Sequence, residues 1–289
     1  MAEILTAMPE LPDLLYIKDH LDRAIVGSSV KGIVVKKPIV VRNALGSTPN
    51  DALAGSTLRS VEIHGPFLRF SFPPTADVII NLMLSGRLQL QNPGEKAVGY
   101  LCLAVDFTNN VTLNLGDDQS MAKAYFVEQN DFTHVPRYTQ QGVDISGPAF
   151  TFEEFKRLLD EHRRKQVRVM INDHAILSSI GNAYADEILF EAGIHPKTIV
   201  ARLTAEDGRA LFDAIGSVMR WGTERVRLAA QPIHIKVRDH MRVRNRHGEP
   251  CPRCGTKIRR EGVRGYDVFF CPKCQPATRT LFIDWRKQQ

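Results

Sequence analysis

Residues 251–274, CPRCGTKIRREGVRGYDVFFCPKC, predict the structure of the C-terminal end of the chain most directly. The cysteines of this stretch form two Cys-x2-Cys pairs with 16 residues between them. Four thiolates complete a tetrahedral Zn²⁺ site and leave no open coordination position, so such a site is structural rather than catalytic. The spacing therefore predicts a zinc finger around one structural Zn²⁺, with these four ligands: Cys251, Cys254, Cys271 and Cys274.

The residues around this finger are strongly basic. The segment 220–264 holds 13 Lys or Arg and four Asp or Glu, a local net charge of +9 within a chain of +6, so the remainder carries −3. A charged, solvated surface is one explanation. A segment this unbalanced favours a polyanionic partner whose phosphates it would bind, which indicates a nucleic acid.

The spacing of apolar residues changes twice along the 289-residue chain. Apolar residues at spacings of three and four predict a helix over 10–26. Short β-branched or alternating runs follow as far as His134 and predict an all-β sandwich or barrel. The predicted strands are Ile33–Val35, Leu58–Ile63, Phe67–Phe72, Val78–Leu84, Tyr100–Phe107, Val111–Leu115 and Ala124–Val127.

Helical patterns take over after a segment rich in Gly and Pro. Thr151 and Glu154 form a helix-start signature, and Gly193 is a helix-end signature. The predicted helices cover 151–165, 167–177, 183–192 and 205–227. We expect an α+β multidomain chain with an N-terminal extension (1–7), a β-sandwich domain (8–134), a linker (135–150), a helical DNA-binding domain (151–245) and a zinc finger with its tail (246–289).

Three motifs, in this order, resemble those of the formamidopyrimidine-DNA glycosylase and endonuclease VIII family of DNA repair enzymes. They are the N-terminal Met8-Pro9-Glu10-Leu11-Pro12-Asp13, the segment Ile180–Phe190 followed by Ala192–Pro196, and the finger. The resemblance implies an N-terminal helix with a β-sandwich, a helix–two-turn–helix domain and the four-cysteine finger. It also implies a partner, double-stranded DNA that contains a damaged base or an abasic site.

The resemblance assigns catalysis to Pro9 and Glu10. In the family, the amine of an N-terminal proline attacks C1′ of the damaged nucleotide, and the adjacent acid transfers protons. Pro and Glu also suit the first turn of a helix, so the pair is compatible with a purely structural role. A proline inside a peptide bond has no amine, and we therefore hypothesise that the functional chain starts at Met8, whose removal exposes Pro9.

The resemblance also implies a set of DNA contacts. Asn182 would bind a phosphate, although Gly181-Asn182 alone is equally typical of a turn and helix cap. Leu84, beside Met83, would fill the gap left by the flipped nucleotide. The other positions implied to contact DNA are Arg168, Gln119 in place of an arginine that meets the opposite base, and Arg264 with Tyr266 in the finger.

The chain departs from the family at Pro66, where a catalytic, phosphate-binding lysine is usual; His64 or Arg69 would have to replace it. Two functions remain open. One is a bifunctional DNA glycosylase and AP lyase, and the other is a catalytically weakened protein that binds DNA damage on the same scaffold. Cys102 stands apart in an apolar run and is predicted to be a small core residue.

The N-terminus shows no signal-peptide pattern, and no apolar run approaches the roughly 20 residues of a membrane helix. We expect a monomer without a membrane partner, located in the bacterial cytosol and associated with the nucleoid through DNA. Disulfides are rare in that compartment, which favours zinc over cysteine oxidation.

Overall fold

The computed structural model of the protein describes residues 8–263 and 265–277. The predicted N-terminal extension, Arg264 and the end of the tail lie outside this part. The described residues belong to two compact units. The N-terminal unit runs to Gln141 and includes Thr223–Val237, and the C-terminal unit comprises Gly142–Gly222 and the residues from Arg238 onward.

The N-terminal unit is a β-sandwich that begins with helix α1 (Leu11–Ala24) and contains the short helix α2 (Pro49–Leu53). One sheet has the order β1 (Val30–Val35), β7 (Leu101–Phe107), β8 (Thr112–Gly116), β6 (Arg87–Gln91). The other has the order β2 (Val41–Asn43), β9 (Lys123–Glu128), β5 (Ala76–Asn81), β4 (Phe67–Phe72), β3 (Ser60–His64). All pairings are antiparallel except that of β2 with β9.

The core of this unit lies between the two sheets. Residues of both sheets, such as Phe70 and Leu115, belong to one buried apolar cluster. Leu14, Ile17 and Leu21 of α1 join it at the predicted helical spacing. Each fully buried side chain of this size contributes about 1.5–3 kcal/mol, so the cluster is the main stabilising feature of the sandwich. Cys102 is wholly buried in it, which confirms its predicted place in the core.

The predicted strand Val78–Leu84 is wrong at its end, because β5 stops at Asn81. The Asn81 side chain accepts a hydrogen bond from the backbone of Met83 at 3.0 Å, and Met83 has φ of 50°. This local turn competes with the sheet ladder. Strand β6 was not predicted, since its alternating Gln and Leu residues are flanked by turn residues and carry no β-branched side chain.

The C-terminal unit contains helices α3 (Phe152–Glu161), α4 (Val167–Ile171), α5 (Asn182–Ala192) and α6 (Ala205–Ala229), the last of which ends in the N-terminal unit. A parallel pair, β10 (Val143–Asp144) and β11 (Leu177–Ser178), precedes α5. The finger hairpin consists of β12 (Arg259–Val263) and β13 (Tyr266–Phe270).

Helix α4 is shorter than the predicted helix over 167–177. The Asp173 carboxylate accepts a hydrogen bond from the backbone of Ala175 at 3.1 Å, and its carbonyl accepts from Ile176 at 2.8 Å. This turn ends the helix and leads the chain into β11. Two predicted helix boundaries are confirmed: Thr151 caps α3 by accepting from Glu154, and Gly193 ends α5 with φ of 72°. The predicted end at Lys165 is wrong, since α3 stops at Glu161 with His162 as its C-cap residue. Among the described residues, no helix has the length and apolar character needed to cross a membrane.

Candidate active site and nucleic-acid interface

Pro9 and Glu10 are held at the start of α1. Pro9 is buried, and Glu10 is the N-cap residue of the helix with only 5% of its surface exposed. The Glu10 backbone donates to the Asp13 carboxylate at 2.9 Å as one half of a capping box. The sequence pattern typical of a helix start is therefore realised, and it fixes the direction in which Pro9 enters the helix.

Pro9 lines a small cleft within the N-terminal unit. Basic side chains also line this cleft: Arg87, His234 and Lys236. Burial, followed by the nearby Arg87 charge, lowers the pKa of His234. The Lys236 ammonium donates to the carbonyl of Leu84 at 2.9 Å. None of these three residues was predicted from the sequence, and only Lys236 belongs to the excess of Lys and Arg over 220–264.

Two residues near Pro66 were expected to replace the lysine, His64 and Arg69. Neither of them provides an unpaired cation. His64 shares its Nε2 proton with the carbonyl of Tyr138 at 2.8 Å. The Arg69 guanidinium forms an ion pair with buried Asp77 at 2.9 Å. Burial acts against the charge of Arg69, but the Asp77 carboxylate outweighs it and raises the pKa of Arg69. Both side chains are therefore committed to contacts inside the unit.

Leu84 and Gln119, the side chains predicted to contact DNA from two loops of the sandwich, are both exposed. Leu84 is 41% exposed, while Met83 beside it is half-buried. Gln119 is exposed, and its backbone donates to the Asp117 carboxylate at 2.9 Å. An exposed leucine on a fixed loop can act as an apolar wedge.

In the C-terminal unit, Asn182 is the first residue of α5 and Arg168 lies on α4. Arg168 is 2% exposed, so little of its side chain is accessible to a partner. Its Nε contacts Asp186 at 2.9 Å and its Nη2 donates to Asn182 Oδ1 at 3.0 Å. Arg168 therefore orients Asn182, and the half-buried Asn182 at the helix N-terminus is the group placed to meet a phosphate.

The finger cysteines converge as the motif predicts. Their sulfur atoms all lie within 4.8 Å of one another. Cys254 is 3.5 Å from Cys271, and Cys251 is 3.8 Å from Cys274. Tetrahedral ligands about 2.3 Å from Zn²⁺ stand roughly 3.8 Å apart, so the four thiolates fit one structural Zn²⁺. Phe190 of α5 packs with the buried finger residues.

Several basic residues near the finger are bound within the unit. Arg253 donates to the carbonyl of Phe190 at 2.7 Å and pairs with Glu191. The Arg242 guanidinium forms ion pairs with buried Glu187 at 3.2 Å and with Glu191 at 2.6 Å. The positive charge of this region is therefore only partly available to a partner, since some of it anchors the finger on α5. By contrast, Tyr266 is 57% exposed at the hairpin turn.

Three family models match the chain in the order of its elements. The formamidopyrimidine-DNA glycosylase N-terminal domain matches residues 8–124, its H2TH domain matches 142–231, and the zinc finger found in FPG and IleRS matches 248–277. The chain belongs to the formamidopyrimidine-DNA glycosylase and endonuclease VIII family. The match of the first model begins at Met8, so that Pro9 and Glu10 directly follow its first matched residue.

Relatives of this family cover nearly all of the chain. Formamidopyrimidine-DNA glycosylase of Rhodococcus jostii is 28% identical over 285 residues, which is 94% of this chain and 97% of the relative. That of Exiguobacterium sibiricum is 28% identical and covers 93% and 99%. The crystal structure of the MutM (Fpg) protein from Thermus thermophilus is 26% identical, with a TM-score of 0.79 and coverage of 93% and 100%.

A Lactococcus lactis Fpg, solved in complex with DNA that contains an abasic site, shares this fold. Its TM-score is 0.81 at 21% identity, and the match covers 93% of this chain and 100% of that one. The family fold of β-sandwich, H2TH domain and zinc finger is thus common to proteins whose sequences have diverged widely.

Proposed function

We propose that this protein is a DNA repair glycosylase that also cleaves the strand at the resulting abasic site. Membership of the formamidopyrimidine-DNA glycosylase family supports the glycosylase function. The observation that carries the proposed mechanism is the cleft where Pro9, next to the N-cap residue Glu10, lies beside the cationic side chains of Arg87 and Lys236. A nucleophile beside these two cations is suited to a substrate whose backbone consists of phosphates.

The proposed reaction uses the secondary amine of an N-terminal Pro9. Its nitrogen forms a bond to C1′ of a flipped nucleotide as the bond from C1′ to the base breaks. The amine proton passes to the departing base. Glu10 then donates a proton to O4′ as the C1′–O4′ bond breaks, which opens the sugar and leaves C1′ joined to the Pro9 nitrogen as an iminium ion. Removal of a C2′ proton then expels the 3′ phosphate, and water releases the sugar fragment from Pro9.

The C-terminal unit is proposed to bind the DNA backbone. Asn182 stands at the N-terminus of α5, where backbone N–H groups also favour an anion. The exposed Tyr266 lies at the finger hairpin. Phosphate contacts of this kind fix the protein on the duplex, whereas Leu84 and Gln119 are proposed to replace the flipped base and meet the opposite one.

Borohydride trapping tests the nucleophile directly. Two chains are compared on a duplex with one abasic site, the first starting at Met1 and the second processed to begin at Pro9, with both N-termini verified by intact mass. We expect a covalent adduct only from the second chain, because only that chain has a proline amine. Equal trapping by both chains would exclude the Pro9 amine.

A second variant separates base removal from attack on an abasic site. Glu10→Gln in the Pro9-started chain keeps the size of the side chain and removes its acidity. We expect base excision to fall by roughly 10²-fold or more, the usual scale for proton transfer, while trapping on a ready-made abasic site persists. Loss of both reactions to the same extent would assign Glu10 to the helix cap alone.

One observation favours the weaker alternative, a protein that binds damaged DNA with little catalysis. The hairpin at Pro66 lacks the lysine usual in the family, and Arg69 is committed to Asp77. Absence of any adduct from the Pro9-started chain, together with preferential binding to abasic-site duplex, would support this alternative.

A further inference from the structure

Two loops of the sandwich run side by side. The Leu84 loop (residues 82–86) joins β5 to β6, and the Gln119 loop (residues 117–122) joins β8 to β9. Their ends are paired in both sheets: Asn81 is the register partner of Lys123, and Arg87 is the partner of Gly116. Both loops therefore cross between the same strand pairs at the same end of the sandwich.

The backbone N–H and C=O groups of the Gln119 loop are held by hydrogen bonds to two charged side chains, Asp117 and Lys123. The buried Asp117 carboxylate accepts from the backbones of Gln119 at 2.9 Å and Ala122 at 2.7 Å. On the opposite side, the Lys123 ammonium donates to the carbonyls of three successive loop residues at 3.1 Å each: Ser120, Met121 and Ala122. Such a loop has few ways to move without breaking several hydrogen bonds at once.

The Leu84 loop packs against this acid. The Ser85 hydroxyl is buried and makes no well-aligned hydrogen bond within the described residues, but it lies close enough to the Asp117 carboxylate to affect its pKa. Burial alone would raise the pKa of Asp117, but hydrogen bonds from the backbone of Ala122 and other loop groups, with the nearby Ser85 hydroxyl, lower it below its ordinary value. The loops also approach closely, since a Cβ on Gly86 would lie 2.8 Å from that of Ala122.

We propose that Asp117 is a positioning residue that couples the Leu84 loop to the Gln119 loop, so that both loops meet DNA as one preformed unit. The proposal rests on the proposed function, which gives Leu84 and Gln119 their DNA contacts. Asp117 itself is buried and touches no substrate. Its effect would be to place an apolar wedge and a polar amide at a fixed separation before DNA arrives.

The substitution Asp117→Asn tests the coupling, because Asn has nearly the same size but brings an N–H₂ group against loop N–H groups. Asp160→Asn is the control, with the same charge change at an exposed position on α3, outside both loops. We expect single-turnover base excision from duplex DNA to fall roughly tenfold in Asp117→Asn and to stay within about twofold in the control. Trapping on a single-stranded abasic oligonucleotide, which needs no wedge, should stay within about twofold in both.

Equal loss of both reactions in Asp117→Asn, or no loss in either, would overturn the proposal. If Asp117→Asn does not fold by circular dichroism, Ser85→Ala takes its place, since it removes the buried hydroxyl that lies near Asp117 and leaves the acid itself in place. The same pattern is expected with a smaller loss.

Failure of the proposed function would be recognised separately, as absence of excision and trapping in the unaltered Pro9-started chain. In that event, 2-aminopurine placed opposite a stable abasic-site analogue reports wedge insertion by an increase in fluorescence. We expect Asp117→Asn to reduce this increase relative to Asp160→Asn, and equal increases would contradict the coupling.

Discussion

Arg168 Nη2 donates a hydrogen bond to Asn182 Oδ1 at 3.0 Å, while Arg168 Nε contacts Asp186 at 2.9 Å. A guanidinium can only donate, so the oxygen end of the Asn182 amide must face Arg168. The Asn182 N–H₂ group is therefore directed away from the buried arginine. A buried ion pair thus selects which end of an amide is offered to a phosphate.

Arg168→Lys tests this orientation. Lysine keeps the charge beside Asp186 but cannot reach Asp186 and Asn182 together with a planar fork. We expect the Kd for a duplex with an abasic-site analogue to rise roughly tenfold, the equivalent of about 1.4 kcal/mol. Fluorescence anisotropy provides the measurement, and Arg164→Lys at an exposed position is the control. An unchanged Kd in Arg168→Lys would show that Asn182 needs no such support.

Cys254→Ser should remove Zn²⁺ and unfold the finger, because the metal and the buried cluster around Phe190 stabilise the same segment. We expect a bound zinc content near zero and a sharp loss of DNA affinity. Zinc content is measured by atomic absorption and affinity by anisotropy. Cys102→Ala should retain the metal, since Cys102 lies in the sandwich core. Full DNA affinity without zinc would remove the finger from the interface.

The stability of the C-terminal unit should depend on pH through His174. Burial lowers its pKa below the ordinary 6.5, against the opposing charge of Asp173, and its Nδ1 accepts from the Ser179 backbone at 3.3 Å. A lowered folded pKa means that the unfolded chain binds the proton first. The contribution of neutral His174 to the unfolding free energy is complete above pH 6.5. It is lost as pH falls below that value toward the lowered pKa of the folded state.

His174→Asn removes this titration and retains an acceptor for Ser179. We expect the decline of the unfolding free energy between neutral and mildly acidic pH to become shallower, as measured by urea unfolding. Buried His195, whose pKa is lowered by burial despite Glu261, leaves a residual decline. His247→Asn, at an exposed position, is the control, and identical pH profiles for His174→Asn and the unaltered protein would refute the assignment.

Gly222 of α6 is required by a close approach rather than by its backbone angle. A Cβ there would lie 2.3 Å from the ring of Tyr184, which is completely buried. We expect Gly222→Ala to lower the unfolding free energy by about 1–3 kcal/mol through overpacking. In the same helix Gly208→Ala meets only the tip of Leu159 at 3.4 Å, and it should be neutral or stabilising by up to about 1 kcal/mol. Chemical denaturation measures both, and equal effects would contradict the packing argument.

The two arginines at the start of β12 should differ in their contribution to DNA binding. Arg260 forms an ion pair with Asp267 at 2.7 Å, whereas exposed Arg259 has no ion pair within the described part of the chain. We expect Arg259→Gln to weaken binding and to reduce the slope of log K against log salt by about 0.9, the value for one lost phosphate contact. Arg260→Gln should change the slope less, and equal slopes for both variants would place Arg259 away from DNA.

The sequence alone predicted the features that depend on residues close together in the chain. The Cys-x2-Cys pairs, the Thr151 cap, the Gly193 helix end and the apolar face of α1 are local patterns, and each was confirmed. Their spacing fixes the geometry without reference to distant segments. The family resemblance was similarly readable, because its motifs are short and occur in a fixed order.

Tertiary structure decided what distant residues do to one another. Arg168 is buried because Asp186, 18 positions later, lies opposite it, and Arg253 is anchored because the end of α5 carries Glu191. The cations that line the cleft beside Pro9, Arg87 and Lys236, come from segments more than 70 residues away in sequence. Whether a charged side chain faces solvent or a buried partner is determined by which segments the fold brings together, and that information is absent from the local sequence pattern.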